Sequence, residues 1–344
     1  MALVSNLAQG PRIGAGHYGE VYLAIDDVHG EVAVKVLTRL PEEDDSAWSQ
    51  RRDGLLREAR HLAAATHRNV VQVYQFLADD DGESIRFSMR LCRGGSLQDR
   101  FESGPMNLAA VRKVATEVTF GLQALHQRGM LHRDIKPANM LLDEHGVALL
   151  SDFGWVTDDI RFGYARAGGY LDHIAYESWH SGASSVRTDI WALGMTLYRL
   201  LHGQKWYERQ GTPRERIRNG GFVDTLIWLP HVPAKWKRVI RRMLNDDPAA
   251  RFQNCEQLLA AFADLPVEPD WECCVEDDRI HWSRTARARR HQVEWSTQSA
   301  RRHEWRAWTE PLAQGRPRRA GGSTAVLGGR ACASELSRFF AEAR

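Results

Sequence analysis

Only five cysteines occur in the 344 residues, at positions 92, 255, 273, 274 and 332. Their odd number and irregular spacing exclude a disulfide framework and a C-x-x-C zinc pattern. Cys273 and Cys274 are adjacent, a poor geometry for bonding each other. This usage suits a reducing compartment. Excess charge of one sign is also missing: 46 basic side chains face 44 acidic ones, so no net field attracts a polyanion. Long apolar runs are missing too. The most apolar stretch, "DIWALGMTLYRLLHG" (189–203), is interrupted by Arg199 and falls short of the ~20 apolar residues of a membrane span. The opening "MALVSNLAQGPRIG" has no basic region followed by an apolar run, so it does not read as a signal peptide. The expectation is a cytoplasmic protein with no membrane contact.

What is present is globular: 43% hydrophobic and 26% charged residues, long enough for two or three domains. From 10 to 92 the chain alternates β-rich runs with turns, as in "EVYLAID", "GEVAVKVLT", "NVVQVYQFLA" and "SIRFSMRLC". One helical pattern, roughly Ser46–Ala65, interrupts them. From 107 the period becomes helical. Asn107 can cap a helix with Val111, Val114, Val118, Leu122 and Leu125 on one face, ended by Gly129. Further helices are expected at 188–202, 234–245 and 254–264, and "LPVEP" at 265–269 marks a boundary. Beyond it, five of the twelve tryptophans fall within 38 residues. "WECCVEDDRIHWSR" reads as a hairpin, "HQVEWS" and "RHEWRAW" as further strands, "GRPRRAGG" as a linker, and "ASELSRFFAEAR" as a short amphipathic helix. The fold class is α+β: a small β-rich lobe with one helix (1–92), a larger, mostly α lobe (93–265), a β-rich appendage (266–315), and a linker with a short helix (316–344).

Four motifs bear chemistry. "IGAGHYGEV" (13–21) sets glycines at 14, 16 and 19 just before a β run. Glycine permits close backbone approach to phosphates, although a plain tight turn would look the same. A strand rather than a helix follows, which argues for a hairpin loop and against a dinucleotide fold. "VAVK" puts Lys35 in an apolar strand. It is either a lysine snorkelling at an edge or one that holds phosphates and pairs with a helix carboxylate, for which Glu58 is the natural partner. "HRDIKPAN" (132–139) supplies Asp134, Lys136 and Asn139. A carboxylate to orient a hydroxyl, an ammonium to balance phosphate charge and an amide oxygen to ligate Mg²⁺ suit phosphoryl transfer. "SDFG" adds Asp152, a second oxygen ligand for a hard cation. Each alone could be an inert loop; all four in this order are specific.

From about 10 to 264 the chain resembles the eukaryotic-type Ser/Thr protein kinases. The resemblance implies the bilobal protein-kinase fold, ATP and Mg²⁺ as cofactors, and a protein hydroxyl as acceptor. It implies a glycine-rich loop at Ile13, Gly14, Gly16 and Gly19, and an ion pair of Lys35 with Glu58. Asp134 would be the catalytic base, Lys136 the phosphate-contacting lysine, and Asn139 and Asp152 the metal ligands. Val21, Ala33 and Leu141 would sandwich adenine, with Met89 guarding the back pocket and the backbone at Arg90 to Cys92 binding the base. "TDIWALG" resembles the buried central helix whose Asp189 holds the catalytic loop, and Arg251 would pair with Glu177 of the substrate-docking loop. The Ala/Arg-rich composition suggests a bacterial member of that family.

The chain departs from the family pattern in four places. The 23-residue gap from Lys35 to Glu58 is long, "HRN" (67–69) replaces His-Pro-Asn, and Arg90 stands where an acid is common. In "ARAGGYLDHIAYES" (165–178), Tyr170 and Tyr176 replace the family's threonine and proline. The lost threonine hydroxyl normally bridges the catalytic aspartate and lysine. Arg133 suggests control by an activation-loop phosphate, for which Thr157, Tyr164 and Tyr170 are the candidates. Acidic Asp158 and Asp159 could stand in for one. Two rival readings stay open: a pseudokinase that binds nucleotide as a scaffold, and a small-molecule phosphotransferase. For the tail, ten arginines against three acids over 283–319, interleaved with indoles, offer a nucleic-acid or acidic-partner surface. A small β domain with a tryptophan core and solvated arginines is the favoured reading.

Overall fold

The computed structural model describes residues 7–16, 19–64, 66–78, 83–151, 171–182 and 184–342; within these, the side chains of 15, 16, 55–64, 77, 78 and 171 are excepted. The first lobe is an antiparallel sheet in the order β1-β2-β3-β5-β4, built from β1 (Leu7–Gly16), β2 (Gly19–Asp26), β3 (Gly30–Thr38), β4 (Val73–Ala78) and β5 (Ser84–Arg90). Helix α1 (Asp45–Ala64) crosses from β3 to β4. Alternation in β3 buries Val32 and Val34 on one face and turns Ala33 and Lys35 to the other. The register places Val21, Lys35 and Phe87 in one cross-strand row and Leu23, Ala33 and Met89 in the next. Every predicted wall residue of this lobe therefore shares one sheet face. β4 starts at Val73, four residues later than the apolar run suggests. Val70 and Val71 are diverted to Leu150 of the second lobe by a parallel bridge and a 2.8 Å backbone bond.

The second lobe is helical. Asn107 caps α3 (Leu108–His126) by accepting the Ala110 N–H at 2.9 Å, and the apolar stripe of α3 is buried. α2 (Leu97–Ser103) precedes it, and β6 (Met140–Leu142) and β7 (Ala148–Leu150) form a two-stranded ribbon. After α4 (Tyr176–Ser181) comes α5 (Val186–Glu208), started by a capping box of Ser185 and Thr188. It runs six residues past the expected end, bending at Gly203, whose φ is 68°. A side chain there would strike the backbone of Gly104 at 2.5 Å. α6 (Arg214–Asn219), α7 (Ala234–Met243) and α8 (Cys255–Ala263) complete the lobe. Helices α2, α4 and α6 have seven residues or fewer, too short for a readable period.

The C-terminal part is a five-stranded antiparallel meander: β8 (Glu272–Val275), β9 (Arg279–Ala286), β10 (Arg289–Ser299), β11 (Arg302–Pro311) and β12 (Arg318–Gly322), with α9 (Gly329–Glu342) against it. Its inward face carries Ile280, Trp282, Val293, Trp295, Trp305 and Ala307. With Trp271 they continue the core of the helical lobe. Four of the five clustered tryptophans are thus buried, and only Trp308 is half-exposed. The expected linker is the one departure, because Arg318–Gly322 forms the fifth strand. Its sequence lacks the alternation that signals a strand. Backbone pairing to β11 holds it, and Gly321 leaves room for the Trp305 indole, which a side chain would meet at 3.1 Å.

Candidate active site

The catalytic loop is assembled by α5. Asp189, in its first turn and 2% exposed, accepts the backbone N–H groups of His132 (2.9 Å) and Arg133 (2.9 Å). This holds Arg133 at φ 64°, an uncommon conformation for a side-chain-bearing residue. Burial alone would raise the Asp189 carboxyl. Its hydrogen bond from His126 and the nearby charge of that ring outweigh burial and lower it. Sequence reasoning missed His126, which lies 63 residues away.

Within the loop, Asp134 Oδ2 accepts from Lys136 Nζ and from Asn139 Nδ2, each at 2.7 Å. The lysine reaches the aspartate directly. Asn139 Nδ2 also donates to the Asp134 carbonyl at 2.9 Å. Its amide nitrogen is therefore committed, and the amide oxygen is the atom left to meet a cation. Ser151, the residue before Asp152, is tied to the Asn139 carbonyl through its N–H (2.9 Å) and hydroxyl (3.1 Å). His132 accepts the Asp134 N–H on Nδ1 and donates Nε2–H to the Ser151 carbonyl at 3.2 Å, which fixes its tautomer.

In the first lobe one sheet face bears Val21, Ala33, Lys35 and Met89, and Leu141 lies on β6 of the second lobe. Lys35 is 7% exposed and lies 5.9 Å from the Phe87 ring centre. Gly14 and Gly16 pair with Val21 and Gly19 across the β1–β2 hairpin, and Ile13 is exposed on the same hairpin. Gly19 has φ 143°, and a side chain there would strike the Val36 carbonyl at 2.1 Å, so only glycine fits. At the hinge, Arg90 crosses between lobes to Asp143 at 2.9 Å, and Cys92 is half-buried, its thiol pushed up to about 11 by burial. Glu58 lies on α1. Its side chain, together with Asp152, Thr157, Tyr164 and Tyr170, lies outside the described residues.

The docking segment is anchored twice. Arg251, fully buried, donates to both carboxylate oxygens of Glu177 at 2.7 Å and to the carbonyls of Asn245 and Arg187. Earlier in the segment, His173 Nε2 accepts from Arg199 Nη1 at 2.8 Å. Burial, then the charges of Arg199 and Lys136, depress His173 far below its usual range, so it is neutral. Arg199 lies over the rings of Phe101 and Tyr207, and Tyr207 donates to Asp172 at 3.1 Å. The sequence held one signal for this second anchor, a lone arginine inside an otherwise apolar helix. Among the described residues no cluster of metal-ligating side chains forms, the tail histidines included, and no helix is long and apolar enough to cross a membrane.

The protein kinase domain family matches residues 7–262. Serine/threonine-protein kinase PrkC of Bacillus subtilis is 26% identical over 279 residues, which cover 79% of this chain and 41% of that protein. Aurora kinase C of Mus musculus is 28% identical over 257 residues, covering 74% and 90%. The DNA damage-responsive serine/threonine-protein kinase RqkA of Deinococcus radiodurans is 36% identical over 200 residues, covering 56% and 29%. The matched region thus spans less than half of each bacterial relative and most of the mouse one. With its two lobes and its aspartate-centred loop, this chain belongs to the eukaryotic-type Ser/Thr protein kinases.

Proposed function

We propose that the chain transfers the γ-phosphoryl group of ATP to a serine or threonine hydroxyl of a protein, with Asp134 as the base. The observation that carries this reading is the convergence of Lys136 and Asn139 on one oxygen of Asp134, in a loop pinned by Asp189. Asp134 orients the acceptor hydroxyl and takes its proton. Lys136 is placed to balance charge beside the reacting oxygens, and Lys35 to hold the phosphates from above. The residues fit Mg²⁺: Asn139 offers an amide oxygen, and Asp152 follows a serine tethered to Asn139, a donor set of oxygens that a hard cation prefers. Bound there, the ion supplies charge neutralisation on the phosphate oxygens. The direct Lys136–Asp134 contact supports activity despite the missing threonine. The five free thiols fit the reducing cytosol, where ATP and Mg²⁺ are abundant.

Purified chain with Mg²⁺ and γ-labelled ATP tests this, with and without Asp134→Asn. Label on the chain or on a generic protein substrate is expected, falling at least ~100-fold in the variant. ATP binding without transfer would favour the pseudokinase scaffold, and label confined to small metabolites would favour the small-molecule phosphotransferase.

A further inference from the structure

The C-terminal sheet and the helical lobe border a half-open cavity of about 410 Å³ that phosphoryl transfer does not use. This is within the range of ligand-binding clefts. Its walls are indoles from sequence-distant places: Trp206 and Trp228 from the helical lobe, and Trp295 from β10. Trp206 and Trp295 meet edge to face at 6.3 Å, so the packing of sheet on lobe sets the width. Neither part alone makes the site. Three indoles form a wall for one large apolar side chain.

Charge decides what accompanies that side chain. Indoles around a cation would make an aromatic cage, but among the described residues two guanidiniums, Arg209 and Arg330, line this cavity against one carboxylate, Asp277. Arg209 donates to the backbone carbonyls of Glu276 and Asp277. Arg330 is exposed, in a first helical turn of α9 that contains no acid. A ligand with acidic oxygens complements these guanidiniums, whereas a cationic ligand is repelled by them.

We propose that this cavity is a docking site for an acidic segment of a partner protein, whose large apolar side chain enters between Trp206, Trp228 and Trp295 while a neighbouring Asp or Glu pairs with Arg330. The site also assigns a role to the C-terminal sheet, which supplies one of its walls. It is near the docking segment, since Tyr207, beside Trp206, holds Asp172. That the partner is a substrate rests on the kinase reading; the binding itself does not.

The test therefore omits ATP. The full chain is titrated with fluorescein-labelled peptides in which Trp, Phe or Ala is flanked by Glu, Ser or Lys, and binding is read by anisotropy. Saturable binding is expected for Glu-flanked Trp or Phe, with the Ala and Lys versions weaker by at least ~10-fold. Arg330→Glu, at an exposed position, is expected to reverse the preference between Glu and Lys with no change in melting temperature. Ala333→Trp, which fills the cavity, is expected to abolish binding of every peptide. Failure of all peptides to bind overturns the proposal, as does equal binding of Glu- and Lys-flanked peptides. Tight binding of free indole-3-carboxylate that peptides cannot displace, or a dimer that peptides cannot dissociate, overturns it as well.

Discussion

Asp189 accepts three hydrogen bonds at 2.8–2.9 Å, and only one of its donors, His126, can titrate. Burial opposes the charged ring, but the bond to Asp189 and the contact with Cys255 prevail and push its pKa up to about 9. A folded-state value above the ordinary 6.5 means that the imidazolium stabilises the fold. That contribution is complete below about pH 6.5 and is lost as pH rises through about 9. Between pH 7 and 10 the wild type should lose on the order of 2–3 kcal/mol more than His126→Asn in urea unfolding; parallel losses would refute the assignment. Arg251→Met should cost about 3–5 kcal/mol, because it leaves the Glu177 carboxylate without its partner. The double variant with Glu177→Leu should recover part of that in a double-mutant cycle. Asp134, Lys136 and Asn139 were legible because their chemistry needs fixed residue types within six positions. His126, His173 and Asp143 were not, since each acts on a partner whose nearness only the fold creates.

Among the elements, the strand with the weakest sequence signal relies on a glycine. β12 has no inward apolar side chain, and Gly321 lies under the ring of Trp305, which also packs on Phe339 of α9. Gly321→Val should cost about 1–3 kcal/mol by overpacking and should quench protection of the β11 amides in hydrogen exchange while sparing β9. Unchanged protection would mean that the edge strand adds nothing to the sheet. Helix α3 was readable from its cap and 3.6-residue stripe, both local properties. β12 was not, because "GRPRRAGG" has the composition of a linker and becomes a strand only where a neighbouring backbone and an indole already stand.

As a whole molecule, the C-terminal sheet and the helical lobe share one core. Trp282 donates its indole N–H to His231 Nδ1 at 2.9 Å, Trp236 to the Pro266 carbonyl at 2.7 Å, and Asn107 bonds Glu272 at 2.8 Å. Burial depresses His231 to about 3, so it remains a neutral acceptor across the working pH range. Trp282→Phe removes its donor and should cost about 1–3 kcal/mol, and calorimetry should show residues 93–342 unfolding in one transition in both proteins. A separate early transition for the sheet would contradict a shared core. The boundary at 265–269 was visible in its prolines, but the continuity of packing across it was not. The Arg90–Asp143 pair acts instead on residence time. It joins the end of β5 to the residue after β6, so each opening of the cleft must break a 2.9 Å contact between a partly exposed arginine and a buried carboxylate. Such a pair weakens with salt. Nucleotide should therefore leave faster as ionic strength rises, and in Arg90→Ala stopped-flow release of a fluorescent ADP should be fast at every salt concentration.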